Sequence, residues 1–433
     1  MQSVWSKNIK RPRFDKLQGD IKTDVLIIGG GITGLLCAYM MKRAGIDCVL
    51  VEADKICGGI TQNTTAKITC QHGLIYDKMI NRFGEEKARL YLQAQMESLR
   101  QYRELCKNIE CDFEEQDSFV YSLSNRKKIE KEVKALEKIG CNTIFSEKVP
   151  LPLKVSGAVG IKNQAQFHPL KFAFSIAENL PVYEDTKVLE IKPHGAKTHA
   201  GNIRAEKIVV ATHFPFINKH GSYFLKMYQH RSYVIAYENA QKTDGMYVDE
   251  DKKGMSFRSY NDMLLLGGGG QRTGKSGGNW MEISAFAKKN YQGAEEITRW
   301  ATQDCMTVDD IPYIGQYSKN TPSLYVATGF NKWGMTSAMT SAMILSDLVT
   351  GKESKYAEVF SPSRSILRPQ LAVNAAESLM GLVTPTAPRC PHMGCALKYN
   401  PQEHSWDCPC HGSRFNEKGE IINNPSSDDM KIK

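Results

Sequence analysis

The chain has 433 residues, 41% of them hydrophobic and 24% charged, with a formal net charge of +9, which makes it too long for a single core and too apolar for a disordered polymer. The basic surplus forms no long run, which argues against a nucleic-acid partner, and no stretch approaches the ~18 uninterrupted apolar residues of a membrane-spanning helix. Of twelve cysteines, eight stand singly from Cys37 to Cys305 and four crowd into Cys390 to Cys410, a usage that fits a reducing, cytoplasmic setting better than a disulfide framework.

The first 20 residues are polar and basic, lack the apolar core of a secretory leader, and predict an arm lying against the first domain. Val25 to Ile28 is a β-branched apolar run stopped by three glycines, which suits a strand buried on both faces. Gly29, Gly31 and Gly34 fall at G-x-G-x-x-G spacing, an apolar helix follows from Leu35 to Met41, and Gly45 is placed to end it. A second strand, Cys48 to Val51, leads to Glu52. Side-chain-free glycines let a pyrophosphate approach the positive end of the helix dipole, and Glu52 would take a ribose hydroxyl. The unit predicts a dinucleotide site; the bland alternative is a glycine-rich turn in an ordinary parallel sheet.

The run ICGGITQNTTAKITCQHG after Glu52 has no hydrophobic period and reads as a loop, placed where the second half of a longer cofactor is expected. From here the sequence resembles the D-amino-acid-oxidase-like flavoproteins, which include glycine and sarcosine oxidases. The resemblance implies FAD as the nucleotide, puts Thr64, Thr65, Ala66 and Lys67 beside the isoalloxazine, and gives Lys67 a part in catalysis. Without it, Lys67 reads as a solvated loop lysine.

Tyr76 to Ile109 predicts a helix broken at Gly84, and Ser124 to Ile139 a second one with Ser124 as N-cap and Gly140 as its stop. Short strands around one helix, Pro169 to Ala177, continue to Ile217. The resemblance reads EKIVVATHF as the return to the FAD sheet and puts Val188 at the adenine. His168, His194, His199 and His213 have no metal-ligand spacing and read as structural or solvent-facing. Residues 222–300 alternate apolar and polar as an antiparallel sheet would. Gly267 to Gly270 invites a second nucleotide reading, which fails because RTGKSGGNW follows where a helix should begin.

The resemblance places Arg258 and Tyr260 on this sheet facing the flavin, with Arg258 as a bidentate partner for a substrate carboxylate; the competing reading is a surface-strand arginine. Beyond Trp300, the strand SLYVATGF and the small-residue helix in NKWGMTSAMTSAMILSDLVTG also match the family. The match adds Gly329, Lys332, Gly334 and Met335 to the cofactor-binding residues, aims the helix N-terminus at the flavin pyrimidine, and sets Lys332 and Gly334 near the N1/C2=O edge, where positive charge stabilises the anionic reduced ring. In sarcosine-oxidase-like relatives a cysteine near the position of Cys305 carries the flavin as a thioether. Read from residue type alone, Cys305 is a free thiol packed as a small hydrophobe.

FSPSRSILRP reads as a linker, residues 370–382 as a short helix with Leu371, Ala375, Leu379 and Leu382 on one face, and TPTAP as a stiff spacer. CPHMGC and CPCHGSRF then supply Cys390, His392, Cys408 and His411, two thiolates and two imidazoles, the donor set of a Rieske [2Fe–2S] centre. A Cys₂His₂ zinc site would use the same donors. As whole boxes the two segments resemble the Rieske cluster-binding subdomain. That resemblance implies iron over zinc, a disulfide between Cys395 and Cys410, and a hydrogen-bonding turn at Gly412 and Ser413. Phe415 stands where high-potential members have a tyrosine, which implies a lower potential. The short distance from linker to first box implies a basal sheet that is abbreviated or borrowed.

The whole chain thus resembles bacterial FAD-dependent oxidoreductases of the D-amino-acid-oxidase type that carry a C-terminal Rieske domain. The expected fold is α/β: a Rossmann-like FAD-binding domain (1–75, 150–220 and 300–356), an inserted α+β substrate domain with an antiparallel sheet (76–149 and 221–299), a linker (357–389) and a small all-β cluster domain (390–433). The expected function is hydride removal from the C–N bond of an amine or amino acid to FAD, one-electron transfer to the cluster, and delivery to an unidentified acceptor protein. Its rivals are an NAD(P)H-fed reductase serving a separate terminal enzyme and a redox sensor.

Overall fold

The computed structural model describes residues 1–217, 220–251, 254–385 and 388–431, so residues 386–387 of the expected spacer lie outside the described residues. The apolar run before the glycines is the end of the strand Ile21–Ile28. Its two faces serve two cores: Val25 and Ile27 enter one apolar cluster, Leu26 and Ile28 another, which is why the run shows no polar alternation. Asn202–Val210 and Cys48–Val51 pair with it in parallel. Leu324–Thr328 and Val182–Tyr183 extend the parallel order, and Tyr313–Gln316 closes one edge antiparallel.

The helix Ile32–Arg43 leaves the glycine turn and packs on a second helix, Gly334–Val349. Ser337, Ala338, Ser341 and Ala342 are all buried on that second helix, and their small size lets the two approach closely. A Cβ at Gly34 would lie 1.9 Å from the Gly29 carbonyl oxygen, so only glycine permits this join of strand and helix.

A second sheet runs in the order Glu295–Thr307, Met227–Glu238, Met263–Arg272, Ser256–Tyr260, Met246–Asp249, Glu114–Ser122, Gly157–Gln166 and Lys67–Ile68. Gly267 to Gly270 lies inside one of these strands and is therefore no phosphate loop. Gly157–Gln166 and residues 300–307 of the strand Glu295–Thr307, grouped from sequence with the FAD-binding segments, pair within the second sheet, because long-range ladders leave no local signature. The predicted long helix divides at Gly84, φ +86°, into Tyr76–Phe83 and Glu85–Cys106. Helix Arg126–Lys138 is capped by Asn125, not Ser124: the Asn125 side chain accepts from the Lys128 N–H. The N-terminal arm is anchored by Trp5, fully buried, whose indole N–H donates to the Thr64 carbonyl at 2.6 Å.

The helix Pro369–Val383 turns Asn374 and Gly381 inward and leaves Leu379 and Leu382 exposed, the reverse of the face read from its apolar stripe. Close approach is the reason. A Cβ at Gly381 would meet Cys410 Sγ at 2.3 Å, and Asn374 accepts from Arg272 and donates to the Leu225 carbonyl. Four short antiparallel strands, Lys398–Asn400, Ser405–Asp407, Arg414–Asn416 and Ile421–Asn423, make the last sheet. It leans on the second sheet through a buried network in which Glu403 pairs with both Arg231 and Arg414, and Arg414 also with Asp407.

Candidate functional site

A cavity of about 1160 Å³ opens where the first sheet's carboxyl edge meets the second sheet. It exceeds the ~300–1,000 Å³ usual for small ligands and has room for a dinucleotide with substrate. Gly29, Gly31, Ile32 and Thr33 line one end, with the N-terminus of helix Ile32–Arg43 facing in. Glu52 lines it beside them, its two carboxylate oxygens accepting from Gly30 N–H (2.6 Å) and Asp54 N–H (3.0 Å). Val188 borders this end, and Thr64, Thr65 and Lys67 carry the wall onward to Lys332, Gly334 and Met335. The cradle fits an extended dinucleotide: glycine backbone and a helix N-terminus for phosphate, a carboxylate for ribose, and cationic groups toward the far end.

Lys67 is buried on the strand Lys67–Ile68, and its Nζ donates to Thr65 Oγ1 at 3.2 Å. Burial, reinforced by the nearby Arg258 charge, lowers its pKa to about 7. Lys332 sits at φ +74° just before helix Gly334–Val349. Across the cavity, burial raises the Asp304 carboxyl while Lys332 pulls it down. Gly329, φ +73°, is held by packing: a Cβ there would fall 2.3 Å from Thr307 Cγ2. Ala66 is buried at φ +54° beneath the loop, its N–H donating to Thr64 Oγ1.

Two expectations are corrected. Arg258 does not line the cavity. It is 1% exposed, its Nη1 donates to the Thr65 and Ala66 carbonyls, and it stacks beside Trp5, so its donors face the loop rather than a substrate carboxylate. Tyr260 is likewise outside the cavity, donating to Asp112 Oδ2 at 2.8 Å. Cys305 borders the cavity, but its Sγ is packed 3.5 Å from Met227 Sδ in the core and burial pushes the thiol up to about 12. That packing supports the small-hydrophobe reading of residue type alone.

Residue patterns missed His72, which lies five positions after Lys67 in the same loop run. Its Nδ1 accepts from Tyr91 O–H at 2.6 Å and its Nε2 faces the Thr69 carbonyl and Thr336 Oγ1, each at 2.9 Å. The ring stacks on Trp333 at 5.1 Å, and burial lowers its pKa to about 3, so it is neutral. His72 thereby ties the segment after Lys67 to the start of helix Gly334–Val349.

At the other end of the chain Cys390, His392, Cys408 and His411 come together. The His392 and His411 rings lie 5.0 Å apart at 84°. Burial lowers them to about 4 and about 3, leaving neutral imidazoles fit to be ligands. His411 is 1% exposed, and its Nδ1 is buried with no hydrogen-bond partner while its Nε2 faces Ser378 Oγ at 3.4 Å. An iron at Nδ1 would satisfy that orphaned atom. The Cys390 thiol, sharing a hydrogen bond with Cys408, is lowered to about 7. Cys395 and Cys410 form the expected disulfide, and Cys408 Sγ lies within 4.8 Å of both its sulfurs. The turn is closed by Gly412 N–H to the Cys408 carbonyl (2.9 Å) and Cys408 N–H to the Ser413 carbonyl (2.8 Å). The donors fit a two-iron cluster held by paired loops.

One strand serves both places. In Glu295–Thr307, Asp304 lines the cavity, while fully buried Gln303 donates to the Gly412 carbonyl at 2.9 Å and accepts from Thr273 Oγ1 at 3.0 Å. His213, read from sequence as structural, lines the cavity and donates from Nε2 to Gln229 Oε1 at 3.1 Å.

Comparison with known proteins agrees with this geometry. Residues 24–348 match the FAD dependent oxidoreductase family and residues 351–432 the Rieske [2Fe-2S] domain. YhfW of Bacillus subtilis (strain 168), described as a Rieske 2Fe-2S iron-sulfur protein, is 34% identical over 99% of this chain and 97% of its own. Gamma-glutamylputrescine oxidoreductase of Escherichia coli (strain K12) is 24% identical over 79% of this chain and 87% of its own. In fold, the chain is similar to glycine oxidase from Geobacillus kaustophilus, with a TM-score of 0.67 and 19% identity over 79% of this chain and 99% of that one. L-proline dehydrogenase from P. horikoshii gives 0.68 and 18% over 80% and 98%. The chain belongs to the FAD-dependent oxidoreductases, with a Rieske domain following the flavoprotein fold, and its cofactors are FAD and a [2Fe–2S] cluster.

Proposed function

We propose that this chain dehydrogenates the C–N bond of a small amine or amino acid and passes the electrons one at a time to its own cluster, then to an acceptor protein. The observation that carries this reading is the strand Glu295–Thr307, which walls the FAD cavity through Asp304 and holds the cluster loop through Gln303. When bound, FAD supplies a hydride acceptor and the cluster a one-electron acceptor. Cys390 and Cys408 would hold one iron, His392 and His411 the other.

The protein's own part is proton handling and placement. An alkylammonium cannot give up hydride until it loses a proton, and Lys67 Nζ, neutral above about pH 7, is the base in reach of the cavity. Lys332 and the N-terminus of helix Gly334–Val349 set a positive potential at the far end. Trp333 and His72, stacked together, make an apolar wall that keeps water from it. The names of the glycine oxidase, L-proline dehydrogenase and gamma-glutamylputrescine relatives point to the same substrate class. Against an NAD(P)H-fed reductase stands the strand conformation of Gly267 to Gly270, which removes the other nucleotide motif in the sequence.

The test is anaerobic mixing of the holoprotein with a panel of amines and amino acids, and separately with NADH and NADPH. Flavin bleaching by an amine, followed by the EPR signal of a reduced cluster, is the expected result. Bleaching by a nicotinamide alone overturns the proposal.

A further inference from the structure

We infer that the segment 421–427 of the C-terminal domain is a wall of the FAD site and retains the dinucleotide in its cavity. Ile421, Asn424 and Ser427 line the same cavity as Gly31, Glu52 and Val188. The segment lies outside residues 24–348, the part that matches the flavoprotein family, so this wall is contributed by the cluster domain.

The segment is fastened at two points beside the glycine-turn end of the cavity. Asn424 Nδ2 donates to the carbonyls of Thr212 (2.6 Å) and Phe214 (2.8 Å), just past Ala211, whose carbonyl would lie 2.7 Å from a Cβ on Gly29. Gln229 Nε2 donates to the Asn424 carbonyl at 3.4 Å. Farther along the segment, the Ser427 carbonyl accepts from Lys187 Nζ, next to Val188. Between these points Ser426, 3% exposed, donates its N–H to Ser413 Oγ at 3.0 Å, and Ser413 closes the cluster turn. The segment therefore covers the dinucleotide end of the cavity between the glycine turn and Val188 and is pinned midway to the cluster loop. Both amide hydrogens of Asn424 are spent on the flavin domain's backbone, so a dinucleotide leaving past this wall must first break that pair of part-buried bonds. FAD retention is thus tied to an intact cluster loop.

The experiment uses full-length holoprotein, following FAD release by the rise of flavin fluorescence after dilution, with the cluster's visible absorbance as a check. Asn424→Ala is expected to release FAD at least tenfold faster with the cluster signal retained; release at the wild-type rate overturns the inference. Hydrogen exchange of the wild-type protein, cluster-loaded with and without FAD, tests it without a variant. Slower exchange across residues 421–427 on FAD addition is expected, and identical exchange in the two states overturns it.

Discussion

Burial sets the protonation of two side chains at the cavity in opposite senses. Lys67, lowered to about 7 mainly by desolvation, loses its proton as pH rises through that value, so kcat/KM for an amine should climb through about pH 7 and level off above it. Lys67→Met should abolish that limb and lower kcat/KM by roughly 100-fold or more, the usual contribution of a positioned base; a pH profile with the same rising limb would remove Lys67 from this role. Cys305 is the opposite case. Its thiol is raised by the same desolvation and lies against Met227, so acid denaturation should leave a colourless polypeptide and free FAD in the supernatant. Yellow colour staying with the chain would contradict it.

At the scale of elements, glycine positions divide sharply by what surrounds them. Gly34 would place a Cβ 1.9 Å from backbone, whereas Gly45, φ +74°, has open space around it. Gly34→Ala should therefore cost about 3 kcal/mol or more by overpacking and empty the FAD site. Gly45→Ala should cost only about 1 kcal/mol from backbone conformation and keep its flavin. Equal flavin contents in the two purified variants would refute the contrast. The helix Pro369–Val383 teaches a related lesson, because its inward face was chosen by the need for the absent side chain of Gly381 against the disulfide, not by its leucines.

For the molecule as a whole, the cluster domain is fixed by buried charge rather than by a large apolar seam. Arg231 and Glu403 are 4% and 7% exposed, and Arg414 shares Glu403. Arg231→Leu leaves Glu403 buried with Arg414 as its ion-pair partner and should cost about 3 kcal/mol, seen as loss of cluster absorbance at lower urea than in the parent. An unchanged midpoint would show that the network does not hold the domain. Composition follows from the two sites: one FAD and two irons with two acid-labile sulfides per chain. Stoichiometric zinc without iron would contradict the cluster assignment.

The sequence by itself determined the contiguous motifs: the glycine fingerprint with Glu52 and the two Cys/His boxes depend on short spacing, and the structure brings each set together, whereas the Thr64 to Lys67 loop was placed by the family resemblance. Arg258 and Tyr260 were misplaced because a strand residue's task depends on which face it turns and what lies opposite, and that is set by ladders between segments of the sheet. The same reason hid His72, Gln303 and Asn424, single polar residues without periodicity whose partners lie up to 264 positions away. Only the tertiary structure decided that the cluster domain closes the flavin cavity, since nothing local in residues 421–427 encodes the carbonyls of Thr212 and Phe214 that they meet.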